Sequence, residues 1–120
     1  MPILKVEVVG KREEFPRNLA QQIADSAATE LDSRPQGTWV TTTFIQENDY
    51  AENGGRDESL NPVLISLVLS DPPANGELQS LIAALTTAIA SVVGVPSENV
   101  HIIVEPAARG RVSFGGRLVT

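Results

Sequence analysis

Met1-Pro2-Ile3-Leu4-Lys5-Val6-Glu7-Val8-Val9 opens the chain, and sixty residues later the pattern returns as Asn61-Pro62-Val63-Leu64-Ile65-Ser66-Leu67-Val68-Leu69. Each copy is a proline at the head of a run rich in Val, Ile and Leu, the composition of a β-strand. Lys5 and Glu7 give the first run a partial alternation that predicts one wet face, whereas the second is apolar almost throughout and predicts burial on both faces. The two prolines differ chemically. Loss of Met1 would turn Pro2 into a free secondary amine, a proton acceptor and nucleophile, while the nitrogen of Pro62 is locked in a tertiary amide.

The repeat extends through both halves, 1–60 and 61–120, of what reads as a single domain. Phe15, Leu19, Ile23, Ala27 and Leu31 recur every four residues and predict an amphipathic helix over about 13–32, with Pro16 in its first turn. Leu78, Leu81, Ile82, Leu85, Ile89 and Val92 trace the same stripe in the second half, with Asn75 as N-cap and Gly94 as the stop. A second strand follows each helix, Trp39 to Gln46 and Val100 to Val104, and each half closes on a glycine pair, Gly54-Gly55 and Gly115-Gly116. Residues 48–61 and 70–76 read as loops.

Two β-α-β units in tandem predict an α/β (α+β) fold, a four-stranded sheet with two helices on one face and parallel strands within each unit. The other face then lacks a cover, which argues for an oligomer. Arg111 to Val119 alternates loosely and is a candidate strand for a neighbouring subunit.

A chain of 120 residues without cysteine has neither a disulfide framework nor a thiol nucleophile, and one histidine, His101, argues against a His-rich metal site. The net charge of −6 argues against nucleic acid, which needs a basic face. No run approaches eighteen consecutive apolar residues and no signal peptide is evident, so no membrane association is expected and the expected location is cytoplasmic. The acidic residues of 47–58 lack metal-ligand spacing, and Gly54-Gly55-Arg56 precedes no helix that would cradle a phosphate.

Met1-Pro2-Ile3, the sixty-residue duplication, Arg34-Pro35 before the second strand, Gly54-Gly55 and Val112-Ser113-Phe114-Gly115-Gly116 together resemble the tautomerase superfamily over nearly the whole chain. The likeness is to its fused type, in which one chain carries two β-α-β units and three chains form a trimer. The resemblance implies a cofactor-independent tautomerase or isomerase whose amino-terminal proline, Pro2, is the general base on a small enolic 2-oxo acid. Dehalogenation or hydration by the same amine belongs to the family as well. A base of this kind must be neutral near pH 7, a state favoured by apolar burial and by a nearby cation.

Arg34 stands where the migration-inhibitory-factor branch has a pocket cation. It is a candidate for a bidentate grip on a carboxylate, or else a solvated cation at a helix C-terminus. Lys11 and Arg12 lie where short tautomerases have a substrate-binding arginine, with shifted spacing, and a capped loop is their other reading. His101 falls near a pocket position and is either a substrate contact or a structural strand histidine. Arg109 and Arg111 are candidates to reach a neighbour's Pro2 or to solvate a loop, and Tyr50, Trp39 and Phe114 compete for the place of a pocket aromatic. Thr41 and Thr42 stand where a short tautomerase has its strand arginine. Two readings from other classes remain: a ferredoxin-like small-molecule-binding module, which shares the element order, and a catalytically silent trimer.

Overall fold

The computed structural model describes residues 2–120. Strand β1 (Ile3–Val9) pairs in parallel with β2 (Trp39–Ile45) and antiparallel with β3 (Val63–Val68), which pairs in parallel with β4 (Val100–Val104), giving the order β2-β1-β3-β4. Helices α1 (Leu19–Leu31) and α2 (Asn75–Val93) are the crossovers of the two units. The sheet is therefore mixed, parallel within each repeat and antiparallel where the repeats meet, and the heads of β1 and β3 lie at opposite ends.

One face of the sheet holds the core. Leu4, Val6, Val8, Ile65 and Leu67 pack against Leu19, Ile23 and Ala27 of α1 and Leu85, Ile89 and Val93 of α2. Period-2 alternation sends Lys5, Glu7, Thr41, Thr43, His101 and Ile103 to the other face, which no helix covers. Leu64 and Ser66 on that face are only half-buried, so β3 is not dry on both sides in the protomer. By length and composition α2 would suffice to cross a membrane, although polar residues interrupt its apolar run; its inner stripe lies in the core.

Helix α1 starts later than its periodicity predicts. Phe15 precedes Pro16, and the proline ring drives the residue before it out of the α region; Phe15 is extended at φ −123°, ψ 159°. A short 3₁₀ turn at Arg12–Glu14 occupies the place of the expected first turn, and the Phe15 ring packs 5.5 Å from Phe44. Asn75 is likewise not the cap of α2: Ala74 is, and its carbonyl accepts the N–H groups of Glu77 and Leu78. Gly94 ends α2 in the left-handed conformation, as expected. The segment after β4 folds on itself as a hairpin, β5 (Ser113–Phe114) with β6 (Arg117–Leu118), turning at Gly115 and Gly116.

Candidate active site at the Pro2 end of the sheet

Pro2 heads β1, and its carbonyl accepts the N–H of Trp39 at 3.0 Å, so the heads of the two parallel strands are tied together. Beside it lies an open hollow of about 270 Å³ lined by Pro2, Leu31, Asp32, Ser33, Arg34 and Gly37. The wall opposite Pro2 is the connection from α1 to β2, and local chemistry fixes its shape. Asp32 ends α1 at φ 52°, with its N–H on the carbonyls of Ala28 and Thr29, and the Ser33 N–H returns to Ala28 at 2.9 Å; together they close a Schellman-type end.

A tight turn follows in which the Gly37 N–H donates to the Arg34 carbonyl at 2.9 Å. Pro35 and Gln36, the latter at φ 61°, fill the central positions in the order of a type II turn. A Cβ on Gly37 would stand 2.8 Å from the Arg34 carbonyl oxygen, so the turn admits only glycine there. Below the turn the Thr38 hydroxyl donates to the Ser33 hydroxyl at 2.6 Å. The Arg34 backbone is thereby held rigidly, while its exposed guanidinium has no hydrogen-bond or ion-pair partner among the described residues.

Trp39, at the head of β2, is 48% exposed, with its indole N–H on the Gln36 carbonyl at 3.0 Å. The Phe114 ring stands edge-on to it at 5.0 Å, which brings the C-terminal hairpin to the same end of the sheet. Arg109 is at this end too, because Ile3 lies opposite Val68 and the residues following β3 run past the head of β1. Ala108 and Arg109 donate their backbone N–H groups to Leu69 and Ser70. The Arg109 guanidinium grips Asp71 in bidentate fashion, with Nε on Oδ1 at 2.8 Å and Nη2 on Oδ2. That hydrogen bonding holds the Asp71 carboxyl below, and the Arg109 guanidinium above, its ordinary range.

The other sequence candidates lie elsewhere in the protomer. Lys11 and Arg12 follow the far end of the seven-residue β1, roughly 23 Å from Pro2 at strand rise. Arg12 donates to the carbonyls of Pro16 and Arg17 and lies over the Phe44 ring at 5.0 Å. The Lys11 backbone N–H is capped by the Glu14 carboxylate at 2.8 Å. His101 is near the head of β4, opposite Leu64 and beside Pro62. Tyr50 belongs to the loop after β2, donating its hydroxyl to Glu52 and lying 5.7 Å from Arg56; the Glu52 hydrogen bond raises its pKa.

The structure thus joins Pro2 and Arg34 in one hollow, places Arg109 at the same end in a pair with Asp71, and separates Lys11, Arg12 and His101 from Pro2. Asp32 and Asp71 carry no motif that marks them in the sequence. Alignment of the two helix ends points to the first, since Asp32 stands where the second repeat has Gly94. The hollow at Pro62 matches in position but not in charge: Glu52, Asp57 and Glu98 line it with Asn99 and His101.

No family model matches the sequence, and no curated protein matches it. Solved structures match in fold. The macrophage migration inhibitory factor of Oncomelania hupensis superposes with a TM-score of 0.78 at 14% identity, over 100% of this chain and 83% of that one. Pt0534 inactivated by 2-oxo-3-pentynoate gives 0.76 at 13% identity, over 98% and 94% of the two chains. A wild-type fused 4-OT symmetric trimer gives 0.76 at 15% identity, again over 98% and 94%. The chain is therefore built on the tautomerase-type α+β fold that these proteins share.

Proposed function

We propose that the chain is a cofactor-independent tautomerase or isomerase that acts on a small enolic 2-oxo acid, with the amine of Pro2 as general base once Met1 is removed. Met1 itself lies outside the described residues. The observation that carries the reading is the shared hollow of Pro2 and Arg34. In it Arg34 takes the substrate carboxylate, and the amine accepts the enol O–H proton and returns it to carbon. No electron leaves the substrate, so neither oxidant nor reductant enters the balance. Pt0534, which shares the fold, is inactivated by 2-oxo-3-pentynoate, itself a 2-oxo acid.

The working state in this reading is a homotrimer. The open sheet face with Ile103 at 66% exposure, and the trimer formed by a fused 4-OT of the same fold, support it. In a trimer a neighbour's Arg111 is the candidate to complete the hollow.

The test is chemical. Intact-mass measurement establishes whether Met1 is absent, and ketonisation of phenylenolpyruvate, which bears one carboxylate, is followed for the native protein and Pro2→Ala. Turnover that falls by about a hundredfold or more in the variant supports the base role. Activity unchanged by Pro2→Ala, or absent from a processed trimer, sinks it and leaves the binding-module or silent-trimer readings. Dehalogenation or hydration instead of ketonisation would mark the amine as a charged acid.

A further inference from the structure

We propose that Asp32 is a specificity-determining residue of the Pro2 hollow, which admits a 2-oxo acid bearing one carboxylate and rejects one bearing two. The inference deepens the functional reading above and rests on its location of the site. It starts from the backbone. Helices α1 and α2 end alike, each with its C-cap residue in the left-handed conformation, Asp32 at φ 52° and Gly94 at φ 84°. Glycine takes that conformation freely, whereas a side chain there is disfavoured.

Aspartate is tolerated at such positions because its carboxylate bonds to nearby backbone, but the Asp32 carboxylate has no hydrogen-bond partner among the described residues. The usual local reason for an aspartate is missing. What Asp32 has instead is a place in the wall of the hollow beside Pro2 and Arg34. The carboxylate and the guanidinium, two residues apart in the chain, form no ion pair with each other, so both are open to a ligand's charges. One unpaired cation faces one substrate carboxylate, and one unpaired anion faces whatever charge comes second. A second carboxylate in a space this small meets like charge at a few ångströms.

The experiment uses a matched pair of acids of equal chain length, 2-oxopentanoate and 2-oxoglutarate, which differ by the terminal carboxylate. Binding is read by isothermal titration calorimetry, so the result does not depend on turnover. The native protein is expected to favour 2-oxopentanoate by about tenfold or more, and Asp32→Asn and Asp32→Gly to bring the ratio of dissociation constants near one. Asp32→Gly restores the residue that the turn prefers, so loss of folding does not confound it, and thermal unfolding of both variants checks this. Equal binding of the two acids by the native protein, a ratio unmoved in both variants, or binding of neither acid would overturn the proposal. A selective hollow that performs no proline-dependent turnover would defeat the functional reading alone.

Discussion

The Trp39 N–H donates to the Pro2 carbonyl at 3.0 Å and so fixes the head of β1 through its backbone oxygen. The residue proposed to carry the amine is therefore positioned by the sheet itself. Apart from Leu31 at the end of α1, the rest of the hollow is positioned by the loop that follows that helix.

Arg34→Ala should raise KM for an enolic 2-oxo acid by about 10- to 100-fold, the equivalent of one charge-assisted contact, with kcat changed much less. Steady-state kinetics of the native and variant proteins give the split. A loss confined to kcat would remove Arg34 from substrate binding.

Gly37→Ala should act on the same step through the backbone. Its Cβ would collide with the Arg34 carbonyl, so the turn must open, at a cost of about 1–3 kcal/mol in stability and a several-fold rise in KM. Because the kinetic effect passes through Arg34, it should vanish in an Arg34→Ala background. A double-mutant cycle measures that coupling, and additive effects would contradict it.

The Asp71–Arg109 pair predicts a pH dependence. The Asp71 carboxyl titrates below its ordinary value of 3.8 because Arg109 bonds its charged form. A depressed folded-state pKa gives stability that is present above the ordinary value and is lost as pH falls through the lowered one. The gap in melting temperature between the native protein and Asp71→Asn should thus be constant at pH 5 to 7 and close below about pH 4. Both partners are half-exposed, so the gap will be small.

Ile23 and Ile103 are chemically identical residues on opposite sides of the molecule, one fully buried and one 66% exposed. Ile23→Ala should cost about 2–5 kcal/mol in urea unfolding. Ile103→Lys should leave the protomer folded by circular dichroism and shift its sedimentation toward monomer. A trimer that tolerates the lysine would remove the open face from the assembly interface.

Much of the fold was legible because the repeat and the hydrophobic periods speak locally. Val100–Val104 and the stop at Gly94 follow directly from them. The helix starts were not legible from periodicity, since Phe15 and Leu19 are four residues apart whether or not Pro16 lets the helix run between them. The family resemblance points to Pro2 and Arg34, and the structure sets both on one hollow. Lys11, Arg12 and His101 look close to the site in sequence order, but order along the chain does not say which end of a mixed sheet a residue reaches; the antiparallel β1–β3 pairing decides that. Arg109 finds Asp71 across 38 residues, a pairing that no local pattern announces.

The antiparallel meeting of the two repeats also has an evolutionary side. Duplication of one β-α-β unit left two proline-headed hollows built to one plan but pointing away from each other, one bearing Arg34 and the other Glu52, Asp57 and Glu98. The two ends of one protomer thus present chemically different hollows, and a ligand suited to one is not thereby suited to the other.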